Sequence, residues 1–287
     1  MTAEEKHEVI GNILLGAGVP EFMVEKLDDG MIESLYVSPG FEAQVEYFKE
    51  DLNGDLKQIP YEQHIRISEY NRSIQKENES FFHSANIMSR AQNKIETAVV
   101  AGEISNLTHA LIVGLPGTNQ RRICIALAGW ESSPITRADD FIGIYSGHAT
   151  VIPNTAQATL AYTKNYYVKA TKFDLEENYP YAKAKFIDNS TGIGKEIRLP
   201  ANHYEYDAVI GNRESYRIEN LLLGINVELI PIDPTTTQNF TVLSTYYHEA
   251  LEIGGSVEIS NSGIGFTASP SLVYSRSDVS VYIEHTP

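Results

Sequence analysis

Leu107-Thr108-His109-Ala110-Leu111-Ile112-Val113-Gly114-Leu115 and Arg122-Ile123-Cys124-Ile125-Ala126-Leu127-Ala128-Gly129-Trp130 flank Pro116-Gly117-Thr118-Asn119. Two runs rich in aliphatic and β-branched residues, separated by a Pro-Gly turn signal, read as the arms of a β-hairpin. The pattern continues towards the C-terminus. Phe141 to Tyr145 reads as a strand, and Ala156 to Phe173 alternates through Leu160, Tyr162 and Tyr166. Tyr206 to Ile210, Tyr216 to Ile232, Phe240 to Ile253, Ser256 to Ser260, Ile264 to Ala268 and Leu272 to Ile283 follow, cut by Gly, Asn and Pro. Closely spaced strands with few helical stretches predict a mainly β fold: an antiparallel sandwich or an elongated β-fold.

Towards the N-terminus the style changes. Thr2 and Glu5 have capping-box spacing, and Val9, Ile10, Ile13, Leu14 and Ala17 fall on one helical face. Gly16 and Gly18 supply a stop, and Pro20 suits the first turn of a second helix bearing Phe22, Met23 and Leu27. Asp28 or Asp29 can cap a third, bearing Met31, Ile32, Leu35 and Tyr36. Ser38-Pro39-Gly40 is a break. These signals divide the chain into a helical head (1–37), a mixed hairpin and helix connector (38–100) and an antiparallel β-domain (101–287). Within the connector, Asn53-Gly54 signals a hairpin turn. Residues 61–80 are polar and weakly patterned, and Ser80 to Glu96 has helical spacing.

The 287 residues carry a formal net charge of −16. That acidity disfavours nucleic acid as a partner, because a phosphate backbone repels it. The single cysteine, Cys124, lies in an apolar run and reads as a small buried hydrophobe, so the fold is expected to be disulfide-free. No run reaches the roughly 18 apolar residues of a membrane helix. The acidic start does not resemble a Sec-type leader, so the expected routes are secretion by a non-Sec path or cytoplasmic residence until release.

Catalytic and metal motifs do not assemble. His248-Glu249 opens like a zinc-protease helix, but the second ligand would fall on Glu252. Asp51, Asn53, Asp55 and Glu62 have calcium-loop spacing, but Leu56 stands where the loop needs glycine and Pro60 interrupts it. His148 has no partner in sequence. Asp139-Asp140 reads as a turn or solvated loop, since neighbours on a strand face opposite ways. No catalytic, cofactor or metal site is assigned, and an enzyme stands third among the readings. Most of the seventeen tyrosines lie after residue 150, where half-buried sheet faces suit them.

One hairpin stands out. Val257, Ile259, Ile264 and Phe266 alternate with small or polar residues, between hinges at Gly254-Gly255 and Gly263. Such a unit can pack on a soluble protein, or refold so that alternate residues face lipid and lumen. Ser256-Val257-Glu258-Ile259-Ser260-Asn261-Ser262-Gly263-Ile264-Gly265-Phe266-Thr267-Ala268 resembles the Ser/Thr-rich alternating segment of aerolysin-like β-pore-forming toxins. The resemblance implies a non-enzymatic, secreted or released protein that meets a cell envelope or membrane surface, forms a homo-oligomer and inserts a hairpin. The alternative is a β-sandwich binding or structural module without membrane activity, in which Ser256 to Ala268 is an ordinary surface hairpin.

Overall fold

The structure is a computed structural model and describes residues 1–51, 54–85, 104–116, 120–132, 134, 139–166, 175–176, 179–180, 187–189, 191–200, 203–204, 215–233, 238–249, 256–260, 263–267 and 274–285. Three short helices, α1 (Ala3–Gly16), α2 (Glu21–Glu25) and α3 (Asp29–Tyr36), precede the hairpin β1 (Phe41–Glu50) and β2 (Leu56–Ile59). Helix α4 (Tyr61–Ala85) leads to β3 (Asn106–Gly114), β4 (Arg122–Trp130), β5 (Asp139–Tyr145), β6 (Ala149–Val151) and β7 (Gln157–Tyr166). The short β8 (Leu175–Glu176), β9 (Tyr179–Pro180), β10 (Ile187–Asn189), β11 (Gly192–Arg198) and β12 (His203–Tyr204) follow. The chain ends with β13 (Ser215–Pro231), β14 (Gln238–Glu249), β15 (Ser256–Ser260), β16 (Gly263–Thr267) and β17 (Tyr274–His285).

All pairings among these strands are antiparallel. The larger sheet runs β2-β1-β3-β4-β13-β7-β8, with β6 and β12 on β13 and β9 on β7. The smaller runs β10-β11-β5-β14-β17, and β15-β16 forms a third, two-stranded sheet. The fold is therefore mainly β, an antiparallel sandwich with a helical head. The connector's β1 and β2 belong to the larger sheet, where β1 pairs with β3 from Phe41↔Gly114 to Lys49↔Asn106.

The central strands β3, β4 and β13 of the larger sheet are buried on both faces, which explains their uninterrupted apolar runs. Leu107, Leu111 and Val113 of β3, Cys124, Ala126 and Trp130 of β4, and Leu223, Ile225 and Val227 of β13 meet Ile142, Val242, Tyr246, Val279 and Val281 of the smaller sheet. The residues between them, Ala110, Ile112, Ile125, Leu127 and Leu222, pack with Met23, Leu27, Met31 and Leu35 of the head. Each fully buried Leu, Ile or Met contributes about 1.5–3 kcal/mol of transfer free energy. Burial of Cys124 pushes its thiol up to about 12, in keeping with a packing role.

The head forms as its caps dictate. Thr2 Oγ1 accepts from Glu5 N–H at 3.2 Å, and Glu5 Oε2 accepts from Thr2 N–H at 2.8 Å. Of the expected α1 face, Ile10 and Leu14 are buried, whereas Val9 and Ile13 remain exposed. Asp28 caps α3 by accepting from Met31 N–H at 2.8 Å, and it also accepts from Thr159 Oγ of β7 at 2.6 Å. Tyr47 Oη of β1 donates to Gly18 O at 2.7 Å, so β7 and β1 of the larger sheet both hold the head.

Two sequence expectations are corrected. Residues 61–80, read as weakly patterned, begin the helix α4. Apart from Ile67, its buried residues among those described are polar: Asn106 Nδ2 donates to Ser68 Oγ at 3.2 Å, and Asn71 bonds to Ile104 N and O at 2.9 and 2.8 Å. A helix whose buried face is polar leaves no apolar stripe to read. The second half of the expected helix, 86–96, lies outside the described residues. Asp140, read as part of a turn or solvated loop, lies in β5 and is fully buried. β1 and β2 pair as a hairpin from Tyr47↔Ile59 to Glu50↔Leu56, and the Asp51 carboxylate accepts from Asp55 N–H and Lys57 Nζ, while Asn53 of the expected turn lies outside the described residues.

Candidate functional site

The four hairpin residues singled out in sequence come together. In β15-β16, Val257 pairs with Phe266 and Ile259 with Ile264. Residues directly opposite in an antiparallel ladder share a face. All four therefore share one face of the hairpin, and Ser256, Glu258 and Ser260 share the other with Thr267, Gly265 and Gly263. Among the described residues the hairpin has no ladder partner besides itself, and it lies near β10, β11 and β5.

Its attachment matters as much as its pattern. β15 and β16 are inserted in sequence between β14 and β17, which pair along their whole lengths from Gln238↔His285 to Glu249↔Tyr274. The last described pair of that ladder is Glu249↔Tyr274, and the first described pair of the hairpin is Ser256↔Thr267. The step is seven residues forward on one strand and seven back on the other. Both ladders thus have one register, with matched segments 250–255 and 268–273 between them.

Beneath the end of β14 nearest this insertion lies a buried polar cluster that sequence reading missed. His248 Nδ1–H donates to Asp140 Oδ1 of β5 at 3.0 Å, and Nε2–H donates to Glu50 Oε1 of β1 at 3.3 Å. All three side chains are fully buried. Burial alone lowers the affinity of His248 for its second proton, but Asp140 and then Glu50 outweigh it and raise its pKa to about 10. Tyr246 Oη donates to Asp140 Oδ2 and accepts from Trp130 Nε1–H at 2.9 Å. Burial, and then Asp140, hold the Tyr246 phenol well above its usual range, so it remains a donor.

One pleat further along, His109 of β3 bonds through Nε2 to Ser244 Oγ at 2.7 Å and through Nδ1 to Ser277 Oγ at 3.0 Å. Burial lowers its pKa to about 3, so this imidazole is neutral. Even-numbered positions of β14, Ser244, Tyr246 and His248, therefore tie the smaller sheet to the larger by hydrogen bonds. The far half, with Val242, Val279, Val281 and Ile283, is apolar. The cluster is sealed from solvent, so it holds charge between the sheets and does not present it to a substrate. Polar residues alternating on β14 were the available signal, but their partners lie on other strands, as far as Glu50, 198 residues away.

A cleft of about 510 Å³ opens where the head meets α4, lined among others by Glu21, Tyr61, His64, Arg72, Glu131 and Asn220. A bulge in β13 shapes its floor: register shifts between Glu219 and Leu222, and Asn220 takes φ 50° and donates its N–H to Glu131 O at 3.2 Å. Among the described residues, no group of His, Cys, Asp and Glu is arranged to hold a metal ion. No described helix is long and apolar enough to cross a membrane, which leaves strands unaddressed.

No protein-family model matches the sequence, and no curated protein matches it. Among solved structures, the chain is similar to a pore-forming protein at 9% identity, covering 62% of this chain and 86% of that one, with a TM-score of 0.27. Clostridium perfringens delta-toxin matches at 7% identity over 63% of this chain and 84% of its own, with a TM-score of 0.23. The collagen-binding domain of the Erysipelothrix rhusiopathiae surface protein RspB matches at 7% identity over 64% and 66%, also with a TM-score of 0.23. The likeness to pore-forming proteins is faint, and at scores this low none of these neighbours decides a function.

Proposed function

We propose that this chain is a non-enzymatic, toxin-like β-protein that oligomerises at a cell envelope and inserts residues 250–273 as a membrane β-hairpin. The observation that carries the reading is the common register of β14-β17 and β15-β16. Straightened, the two ladders join without a slip, and the hairpin becomes an extension of strands already paired. The described arms, of 5 residues each, are too short to cross a bilayer. Continued to 250 and 273 in the same register, each arm has eleven residues, and a tilted spanning strand needs roughly 9–11.

The flanking sequence follows the same alternation. Extending the register opposes Leu251 to Leu272, Ile253 to Pro270 and Gly255 to Ala268 on the face of Val257, Phe266, Ile259 and Ile264. Every residue on that face is apolar or glycine. The other face carries Glu252, Gly254, Ser256, Glu258 and Ser260 against Ser271, Ser269, Thr267, Gly265 and Gly263, with Ala250 and Val273 only at the root. A dyad of apolar and polar faces is what a barrel wall between lipid and water requires. Pro270 is the residue at odds with a spanning strand, because it has no N–H to give.

Dye release from liposomes and from susceptible whole cells tests the reading. A lipid-facing charge costs about 2–4 kcal/mol near the bilayer centre. Val257→Lys and Phe266→Lys are expected to abolish release while circular dichroism stays that of the wild type. If wild type releases no dye from any membrane, the pore reading fails, and the chain is a β-sandwich binding or structural module whose hairpin stays docked near β10, β11 and β5.

A further inference from the structure

We infer that the cleft between the head and α4 binds the amino-terminal residue of a peptide, taking its ammonium group on Glu131, its carbonyl oxygen on His64 and an apolar side chain against Tyr61. The inference is independent of the insertion proposed above and concerns a different part of the molecule. At about 510 Å³ the cleft falls within the roughly 300–1,000 Å³ that small-ligand sites occupy.

The polar groups of the cleft are incompletely matched. Among the described residues, the Glu131 carboxylate meets Arg72 Nε and Asn106 Nδ2, both at 3.4 Å. A full-strength bond between a cation and a carboxylate is about 2.7–2.9 Å. The Arg72 side chain is 63% exposed, so water screens its pairing and a nearer cation can outcompete it. Glu21, Glu25 and Glu219 also line the cleft, and Arg72 is the one Lys or Arg among the described lining residues. The local field therefore favours an ammonium group and repels a carboxylate or phosphate.

His64, 3% exposed, supplies the complementary group. Asn106 Nδ2 faces Glu131 Oε2 and Ser68 Oγ, which orients that amide, and it lies 3.4 Å from His64 Nδ1. Nδ1 is thus the acceptor. Burial lowers the pKa of the ring and keeps it neutral, so its proton sits on Nε2. That N–H has no acceptor among the described residues, and a buried donor is costly to leave unpaired. Because Glu131 and His64 both touch Asn106 Nδ2, carboxylate and donor stand side by side, as the ammonium and carbonyl of one residue do. The bulge in β13 brings Asn220 to the same cleft. Tyr61, half exposed, forms an apolar wall with Leu15 and Phe22.

The test is calorimetry of the full chain with phenylalanyl-glycinamide at pH 7, where most of an α-amino group is charged. Saturable binding is expected, weakened about ten- to a hundredfold by Glu131→Gln and about two- to tenfold by Tyr61→Ala. The N-acetylated dipeptide lacks the ammonium and should bind roughly tenfold more weakly or worse. Phenethylamine lacks the carbonyl and should bind severalfold more weakly. No binding by wild type overturns the inference. So does an acetylated dipeptide, or phenethylamine, that binds as tightly as the parent, since the ammonium or the carbonyl would then go unread. Affinity unchanged in both variants places the ligand elsewhere and overturns it as well. If Glu131→Gln does not fold, Tyr61→Ala and the two altered ligands still decide. Each result is read without a membrane, so it stands or falls apart from the insertion reading.

Discussion

A Cβ placed on Gly129 would meet Met23 Sδ at 2.5 Å and Cγ at 2.6 Å. Glycine at that point of β4 lets the head approach the sheet. Gly129→Ala is therefore expected to cost about 1–3 kcal/mol through overpacking, seen as a lower urea midpoint. Gly16→Ala, with nothing within 4 Å of the added carbon, should instead leave stability unchanged or raise it by up to about 1 kcal/mol. If both variants behave alike, the close approach of Met23 is not what limits position 129.

His248 gives a second test at this scale. Replacing it with Gln leaves Asp140 and Glu50 buried without their cation, and removing one partner of a buried pair costs about 3–5 kcal/mol. Its pKa, raised in the folded state to about 10 from an ordinary 6.5, also fixes a pH dependence. The folded state binds the proton more tightly, so the contribution is fully present below the ordinary value and is lost as pH rises through about 10. Thermal melts from neutral to strongly alkaline pH should show that loss in the wild type, and His248→Gln should lack it. An alkaline decline of equal size in the variant would show that His248 is not its source.

Among elements, β14 is the one with two characters. Its half near Glu249 is fastened to the larger sheet by Tyr246, through Trp130, and by His248, through Glu50, and its other half by apolar contact through Val242. Asp140→Asn removes the carboxylate shared by Tyr246 and His248. Hydrogen exchange in that variant should quicken across 246–249 and 274–277 while 241–243 and 279–283 keep their protection. Uniform quickening would mean that β14 opens as one unit. This element also shows where sequence reading stopped. Strand Ser256–Ser260 and the hairpin of β3 and β4 were legible because alternation and turn residues are local. The ionic cluster was not, because Asp140 and His248 are 108 residues apart and each alone looks ordinary. Helix α4 was misread for a related reason: His64, Ser68 and Asn71 are buried at helical spacing, but they are held by hydrogen bonds and not by apolar packing.

At the scale of the molecule, the head, the larger sheet and the smaller sheet stack as three layers, and the middle layer is apolar on both sides. The break at Ser38-Pro39-Gly40 suggests a separable head, with Val37 at 69% exposure a ready site for a protease. Met23, Met31 and Leu35 nevertheless share a core with β3, β4 and β13. A nick at 37–40 is therefore expected to give two fragments that stay together on gel filtration and part only in denaturant. A β-body that elutes alone and stays folded would show that the head contributes little to the sheet it covers. Mainly β architecture and a helical head were both readable in sequence. The sandwiching of one sheet between head and second sheet was not, since it depends on which face each residue of a continuous apolar run selects.

The equal segments 250–255 and 268–273 between two ladders of one register also say which changes in length the chain can absorb. Dropping one residue from a single arm sets the tip out of step with the ladder beneath it. Dropping one from each arm restores the pairing but turns Val257, Ile259, Ile264 and Phe266 to the opposite side, because a strand reverses its faces with every residue. Only changes of two residues, mirrored on both arms, preserve pairing and facing together. Natural variation in this tongue should accordingly come in multiples of four residues, balanced about Asn261-Ser262.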